Sequence, residues 1–271
     1  MAALPPATLE GWYALHQVFA LDWRRLRALV PSKRPLLASQ AAALLAGLAA
    51  PDGGWSDAFR VVAGDGADLL LVHFRPTLDE LAAVQTRVRA SALGEYLVPV
   101  YDYLSITEAG LYHATAEAAG KHDSASPEFA AVIAASQAAE AASAHIRSRL
   151  YPEVPEGMRF VSFYPMSKRR AAGENWYKLH LAERSRLMRD HGMTGRRYAG
   201  RIFQVITGSV GLDEWEWGVT LFARDPLEFK RIVTEMRYDE ASASYGEFGR
   251  FFTGIRLAPG AWEDVLGGSF A

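Results

Sequence analysis

The sequence predicts an α+β protein in which two ferredoxin-like repeats form a dimeric α+β barrel subunit. Apolar strand-like segments alternate with helix-like segments in both halves of the chain. In addition, LLVHFRPTLDELAAV in the first half matches VTLFARDPLEFKRIV in the second half at one constant offset. The matched apolar positions are Phe74 with Phe222, Leu81 with Phe229, and Val84 with Ile232. This match indicates an internal duplication of one strand–helix unit.

The first half, which we expect to form a repeat over residues 1–114, has the pattern strand, helix, strand, helix, strand. Thr77 and Glu80 have the spacing of a capping box, which places a helix start at Thr77. The predicted elements are a strand over 11–23, a helix over 31–50, a strand in ADLLLVHFRP after a tight turn at 64–66, a helix in TLDELAAVQTRV and a strand in GEYLVPVYDYLSITE.

Residues 115–150 differ from both halves, because they are rich in Ala, Ser and Glu and contain few bulky apolar side chains. We interpret them as a polar loop followed by a connecting helix that begins at about Ser126. This segment therefore separates the two expected repeats.

The second half, expected to form a repeat over residues 151–271, has the same alternation. Asn175 is a candidate N-cap and Gly192 a candidate residue just beyond the end of the helix that it caps. Asp225 and Pro226 have the cap-then-proline order of a second helix start. The predicted elements are strands in MRFVSFYPMSK, GRIFQVITGSVG, WEWGVTLFARD and GEFGRFFTGIRLAP, and helices in NWYKLHLAERSRLMRDHG and DPLEFKRIVTEMRYDE.

Composition excludes several classes of function. The chain has no cysteine, so disulfides, a thiolate nucleophile and cysteine metal sites are excluded. The net charge of −2 gives no indication of nucleic acid or an anionic membrane as a partner. The N-terminus lacks the pattern of a secretory signal, and no apolar stretch approaches the roughly 20 residues of a membrane helix. We expect a soluble, cytoplasmic protein.

His191 is the first candidate for chemistry, and two interpretations of it stay open. It precedes Gly192 at an expected helix end, where a histidine commonly interacts with the last carbonyl groups. Alternatively it binds a metal that needs one protein ligand. Zinc requires three or four ligands, whereas a haem iron takes four nitrogens from the porphyrin and a single histidine from the protein.

Other polar residues occur near strand and helix ends. Tyr164 and Lys168 lie in YPMSKRR, whose basic run is either a solvated loop or an anion site. Gln204 interrupts an apolar strand and shares a face with Ile202 and Ile206, which favours an inward position that needs partners. Arg237 and Ser242 follow a helix end and are uninformative on their own.

These motifs together resemble the coproheme decarboxylases of the chlorite dismutase-like superfamily. The similarity is carried by YPMSKRR, NWYKL, RLMRDHGMTGRRYAG, FQVITGS, EWGVTLFARDPLEFKRIV and EMRYDEASASYGEFG, between about Tyr151 and Gly254. Over the first half the similarity is only architectural.

The resemblance implies an enzyme of haem biosynthesis that uses hydrogen peroxide to remove the carboxyl groups of two propionates from iron-coproporphyrin III (coproheme), giving haem b. Coproheme would be both substrate and redox cofactor. The resemblance also implies a homopentamer and a possible transient contact with the ferrochelatase that supplies coproheme.

The resemblance assigns roles to individual residues. His191 matches the proximal iron ligand, Tyr164 the tyrosine that forms a radical, and Lys168 the lysine beside the reacting propionate. Gln204 matches the distal glutamine of the Firmicutes branch. The expected coproheme-binding residues are Tyr164, Pro165, Met166, Ser167, Lys168, Gln204, Arg237, Ser242 and, where the alignment could shift by one residue, Arg149.

Two departures and two alternatives accompany this hypothesis. Chlorite dismutases have a distal arginine where this chain has Gln204, and actinobacterial decarboxylases have a distal histidine that is missing here. One alternative is a non-catalytic haem carrier or sensor of the same fold. The other is a structural α+β barrel without a cofactor, in which His191 only caps a helix.

Overall fold

The fold is given by a computed structural model that describes residues 4–63 and 66–267. Short connections separate the strands and helices of the first half. These elements are β1 (Thr8–Leu21), α1 (Trp23–Ala28), α2 (Arg34–Ala49), β2 (Trp55–Ala63), β3 (Leu69–Arg75), α3 (Leu78–Arg89), β4 (Leu97–Gly110), α4 (Tyr112–Lys121), α5 (Pro127–Ala141) and α6 (Ala144–Leu150).

The second half repeats the order of the longer elements and adds short ones. These elements are β5 (Phe160–Lys168), β6 (Arg170–Ala171), β7 (Glu174–Asn175), α7 (Leu181–Arg196), β8 (Ile202–Gly208), β9 (Trp217–Ala223), α8 (Leu227–Met236), α9 (Glu240–Ala243), β10 (Gly246–Phe248) and β11 (Phe252–Arg256). Among residues 4–63 and 66–267, no helix is long and apolar enough to cross a membrane.

The chain folds into two compact units, each assembled from separate stretches of sequence. Unit I contains the described parts of Met1–Gly11, Ile106–Met158 and Tyr164–Gly249. Unit II contains the described parts of Trp12–Ser105, Arg159–Phe163 and Arg250–Ala271. The repeat boundaries at residues 114 and 151 stay a prediction.

Strand order confirms the predicted α+β class with ferredoxin-like repeats. In the first half the order is β4–β1–β3–β2, and in the second half it is β11–β5–β9–β8. The pairs β1–β3, β2–β3, β5–β11 and β8–β9 are antiparallel. Both orders are those of a β-α-β-β-α-β unit, in which the second and fourth strands lie at the edges.

The register of the hairpins supports the duplication. In β2–β3 Ser56 lies opposite His73, and in β8–β9 Gln204 lies opposite Leu221. These are equivalent positions at the offset of the sequence match. All the matched apolar side chains are buried, namely Phe74, Phe222, Leu81, Phe229, Val84 and Ile232. Each repeat therefore buries the same face of its strand–helix unit.

The core of unit II shows why its helices are rich in Ala and Leu. Small and branched side chains of α2 and α3 pack on β1 and β3, and all of them are at most 9% exposed. Each fully buried Leu contributes roughly 1.5–3 kcal/mol. The buried members on these elements are Phe19, Leu21, Leu37, Ala38, Ala41, Leu48, Leu69, Leu71, Val84 and Val88.

Of the predicted caps, the capping box at Thr77 is confirmed. Thr77 accepts a hydrogen bond from the Glu80 N–H, and the Glu80 carboxylate accepts one from the Thr77 N–H, which completes the capping box. Ser126 caps α5 through the Phe129 N–H. Asp225 accepts from the Leu227 N–H, but the helix begins at Leu227, just after Pro226.

Several predicted elements are wrong. The polar loop expected after residue 115 is largely α4, whose small buried residues Thr115 and Ala118 allow close packing. Strand β2 was not expected. The last strand is interrupted, and forms β10 and β11. Of the tight turn predicted at residues 64–66, Gly64 and Asp65 lie outside the described residues, and Gly66 has a φ of +83°.

The helix predicted from Asn175 to Gly192 has different ends. Asn175 accepts from the Tyr177 and Lys178 N–H groups and caps only a short 3₁₀ turn. Because Leu179 and His180 adopt extended backbone, α7 starts anew at Leu181. It continues through Gly192 to Arg196, so His191 lies inside the helix.

Candidate functional site

The candidate site lies in unit I, where β5 presents alternate side chains to one face. Residues two apart on a strand point to the same side, so Tyr164, Met166 and Lys168 share a face. Pro165 and Ser167 point to the other side. Their polar groups hold neighbouring backbone: the Gly249 N–H donates to the Pro165 carbonyl at 2.8 Å and the Glu216 N–H to Ser167 Oγ at 3.3 Å.

Tyr164 is held in an aromatic setting beside a cation. Its ring is 6.1 Å from the ring of Phe248, and Cζ of Arg237 lies 3.7 Å from the centre of the Phe248 ring. Tyr164 is only 5% exposed. Burial raises the pKa of its phenol well above the ordinary value, although the charge of Arg237 acts in the opposite direction. Tyr164 therefore keeps its proton at neutral pH.

Lys168 is a buried cation with specific partners. Its Nζ donates to the Ala241 carbonyl at 2.9 Å and lies 4.4 Å from the centre of the Trp176 ring. Its backbone N–H donates to Oε2 of Glu216 at 2.8 Å. Burial lowers the pKa of Lys168 to about 8, and the carboxylates of Asp239 and Glu216 oppose that effect. Lys168 is thus charged at neutral pH but close to releasing its proton.

His191 is bonded to a carboxylate, which decides the state of its ring. Nδ1 of His191 lies 3.0 Å from Oδ2 of Asp239. Partial burial would raise the pKa of Asp239, but the hydrogen bond and charge of His191 and two hydrogen bonds from Ser242 bring it below its ordinary value. An ionised carboxylate only accepts hydrogen bonds, so Nδ1 carries the proton. Nε2 is then the nitrogen that a metal can bind.

The short helix α9 connects His191 to Lys168. Asp239 caps α9, because its Oδ1 accepts from the Ser242 N–H at 3.1 Å, and its Oδ2 accepts from Ser242 Oγ at 3.2 Å. The Ala241 carbonyl of the same helix accepts from Lys168. One four-residue helix therefore positions a histidine, a carboxylate and a buried ammonium group.

Gln204 lies on β8 and faces the helix that carries His191. A Cβ added at Gly195 of α7 would lie 3.9 Å from Oε1 of Gln204 and 3.4 Å from Cε of Met236. Gln204 is half-buried. The glycine thus leaves room between α7 and the amide, and the amide and His191 project from opposed elements of one unit.

Arg149 lies elsewhere in unit I. It is on α6, where burial lowers the pKa of its guanidinium and the carboxylate of Glu108 opposes that effect. Glu108 also accepts from Nε1 of Trp217 at 2.9 Å. The structure therefore brings His191, Lys168 and Ser242 together through α9. It brings Tyr164 and Arg237 together through Phe248. Arg149 is not part of either group and lies beside Glu108.

Four residues of the site were not singled out in the sequence. Asp239 had a usable signal, because Asp-x-x-Ser is an N-cap pattern. Trp176, Glu216 and Phe248 had none, since only the fold brings them to Lys168 and Tyr164.

This chain is similar to known proteins over most of its length. Residues 36–257 match the protein family described as Chlorite dismutase. The curated coproheme decarboxylase of Staphylococcus carnosus (strain TM300) is 44% identical over 249 residues, which are 91% of this chain and 92% of that protein.

Solved structures show the same fold. A structure described as a novel heme-binding protein from Thermus thermophilus has a TM-score of 0.81 and 39% identity, covering 97% of this chain and 99% of that one. A variant of chlorite dismutase from Candidatus Nitrospira defluvii has a TM-score of 0.71 at 16% identity, covering 96% of both chains, and shows likeness of fold alone. Because the family match spans most of the sequence and a curated relative is 44% identical over nearly all of it, this chain belongs to the chlorite dismutase family.

Proposed function

We propose that this protein is a coproheme decarboxylase, which uses hydrogen peroxide to convert two propionates of coproheme into vinyl groups and so forms haem b. The observation that carries the proposal is the connection of His191, through Asp239 and α9, to the buried Lys168. A haem-binding protein needs the histidine, whereas a buried ammonium group with a lowered pKa is typical of a reaction site. The similarity to the Staphylococcus carnosus enzyme supports the same conclusion.

The residues present fit coproheme. With its proton on Nδ1, His191 would hold the iron of coproheme through Nε2, and the hydrogen bond to the Asp239 carboxylate fixes the orientation of the ring. Carboxylates of the substrate would pair with cations and hydroxyl groups, which Lys168, Arg237 and Ser242 offer. We also assign a propionate to Arg149, although it lies beside Glu108 in another part of unit I. Gln204, on β8, would contribute an uncharged hydrogen-bonding group to the same site. Bound coproheme would supply the iron that reacts with peroxide.

Tyr164 has the properties of a hydrogen-atom acceptor. Its raised pKa keeps the phenol protonated until it is oxidised, so an electron and a proton leave together. The resulting phenoxyl group takes a hydrogen atom from the β-carbon of a propionate and becomes a phenol again. Loss of CO2 and of one further electron leaves the vinyl group. The two electrons given up by each propionate reduce one hydrogen peroxide, with two protons, to two water molecules.

Lys168 would hold the carboxylate of the reacting propionate until CO2 is released. An ammonium group that is charged at neutral pH pairs with a carboxylate, and its pKa of about 8 allows it to give up a proton when that partner leaves. These reaction steps require Tyr164 and Lys168 to lie on the same face of β5.

The test is to load the purified protein with ferric coproheme, titrate hydrogen peroxide and follow the porphyrins by mass spectrometry. We expect stepwise loss of two carboxyl groups in the wild type and none in Tyr164→Phe with normal coproheme binding. Tyr198→Phe is the matched control, because it removes a buried phenol that bonds to Glu235 away from this site. Full decarboxylation by Tyr164→Phe would refute the role of Tyr164.

A second candidate is a non-catalytic haem carrier or sensor. The similarity to the Thermus thermophilus protein, which is described only as heme-binding, favours it. Tight coproheme binding with slow bleaching and no loss of carboxyl groups would establish this alternative. A protein that shows no Soret absorbance after addition of coproheme would be a structural member of the family.

We also propose the setting in which the reaction takes place. Five copies would form a ring in the cytoplasm, and a ferrochelatase would deliver coproheme by transient contact. Light scattering of the purified protein would measure the mass of the assembly. A monomer or dimer at micromolar concentration would refute the ring.

A further inference from the structure

Trp176 stands out because an oxidisable side chain is buried directly beneath the ammonium group of Lys168. Trp176 is 1% exposed, and Nζ of Lys168 lies 4.4 Å from the centre of its ring. The ring of Tyr245 lies 5.6 Å from it and the ring of Tyr112 lies 6.4 Å from it. We call Trp176, Tyr112 and Tyr245 the aromatic cluster.

The aromatic cluster is a hazard in an enzyme that works through oxidation. Indole and phenol side chains lose an electron more readily than the aliphatic groups around them, and rings this close can pass an electron from one to the next. Tyr112 and Tyr245 are half-buried, so an oxidising equivalent that reached them would be lost to small-molecule reductants in solution.

We propose that Lys168 is an electrostatic shield, which keeps Trp176 from being oxidised and so confines the oxidising equivalent to Tyr164. This inference rests on the proposed function, since peroxide is the oxidant. Removing an electron from a ring creates positive charge next to the Lys168 ammonium group, and like charges repel. Lys168 cannot move away easily, because Nζ also donates to the Ala241 carbonyl at 2.9 Å.

The size of the effect follows from the distance. A unit charge 4.4 Å from the ring disfavours electron loss by between about 5-fold, with the dielectric of water, and several hundred-fold, with that of a site near a protein surface. Trp176 is buried, which favours the upper part of this range.

Oxidation of Trp176 would take the oxidising equivalent away from Tyr164. One electron leaves the Trp176 indole and reduces the Tyr164 phenoxyl group, which takes up a proton and becomes a phenol. The indole passes its N–H proton to the hydroxyl group of Tyr112, to which it is hydrogen-bonded, and the half-buried Tyr112 releases a proton to solvent, so charge is conserved. Tyr164 can then no longer take hydrogen from a propionate, and peroxide is consumed without decarboxylation.

The experiment compares charge variants of Lys168 in the full-length protein loaded with coproheme. After a limited peroxide pulse, peptide mass spectrometry measures hydroxytryptophan and kynurenine at Trp176, and freeze-quench EPR detects a tryptophan-centred radical. Lys168→Gln removes the charge, and Lys168→Arg retains it. Arg201→Gln is the matched control, because its guanidinium lies 4.4 Å from the ring of Tyr198, away from Lys168.

We expect the amount of oxidised Trp176 to rise by at least about fivefold in Lys168→Gln. It should stay at the wild-type level in Lys168→Arg and in Arg201→Gln. The double variant Lys168→Gln/Trp176→Phe should give no tryptophan-centred radical signal. Lys168→Met, which preserves the apolar stem, provides the same comparison if Lys168→Gln misfolds. Equal Trp176 oxidation in charged and uncharged variants would overturn the shield. A wild type that consumes peroxide without decarboxylation would refute the proposed function instead, while the comparison of Trp176 products would still decide the shield.

Discussion

Asp239→Asn should weaken haem binding without unfolding the site. The carboxylate uses both oxygens: Oδ1 accepts from the Ser242 N–H, and Oδ2 accepts from Nδ1 of His191 and from Ser242 Oγ. An amide has one accepting oxygen and cannot serve both sides. Asn is a good N-cap, so we expect it to retain the bond to Ser242 and to turn its NH2 group towards His191.

The magnitude follows from the bond that is lost. A hydrogen bond to a charged group contributes about 1.5–3 kcal/mol, and loss of the carboxylate behind a metal-binding histidine lowers metal affinity by about 10–100-fold. Both figures predict an affinity for ferric haem b or coproheme that is weaker by about 10–100-fold. The change removes the carboxylate that is bonded to His191, so the Soret maximum of the haem complex should shift as well.

The assay is a Soret titration of Asp239→Asn and wild type at equal protein concentration. Asp190→Asn is the control, because Asp190 precedes His191 in the chain but pairs with Arg186 at 3.1 Å. Circular dichroism checks that α9 and the fold persist. If Asp239→Asn binds haem within about twofold of wild type, Asp239 does not support the iron ligand and the reasoning is refuted.

Two further predictions concern stability. The pKa of Lys168 is about 8 in the folded protein and 10.5 ordinarily. Between these two pH values the unfolded chain binds more protons than the folded protein. The contribution of Lys168 to the free energy of unfolding must therefore rise with pH, by up to a few kcal/mol. Urea unfolding of wild type and Lys168→Met from about pH 7 to about pH 10.5 measures it, and a constant difference between the two proteins would contradict the lowered pKa. Gly54→Ala should lower the free energy of unfolding by more than about 3 kcal/mol, because φ is +92° and the added Cβ would lie 2.0 Å from the Phe74 carbonyl oxygen. Gly66→Ala should lower it by about 1 kcal/mol, because φ is +83° but the space around the added Cβ is open. Equal melting temperatures for the two alanine variants would show that the clash is relieved by movement of the backbone.

Local patterns predicted the longer elements because their causes are local. The capping box at Thr77 involves hydrogen bonds over three residues and is present. The helix expected from about Ser126 begins at Pro127, and Ser126 caps it over the same distance. The repeat match predicted that Phe74 and Phe222 occupy equivalent buried places, and both are fully buried. Errors occurred where a neighbouring element decides the outcome, as in α4, which packs against α7.

The sequence also predicted which residue types gather in the second half, but their pairing could not be read from it. His191 was expected at a helix end, whereas it lies inside α7, and only the approach of the loop before α9 gives it a carboxylate partner. Tyr164 and Lys168 were expected on one strand, and β5 confirms that placement. That His191, Gln204 and Lys168 bind coproheme stays a prediction.

The sequence by itself determined the α+β class, the duplicated strand–helix unit and the presence of one histidine, one tyrosine and one lysine in motifs of a haem-enzyme family. These features depend on periodicity and on residue identity along the chain. The tertiary structure decided that Asp239 orients His191, that Arg237 faces Tyr164 across Phe248 and that Lys168 lies over Trp176. The physical reason is that hydrogen bonds, burial and Coulomb interactions depend on distances between residues far apart in sequence, and those distances exist only after the strands and helices have packed.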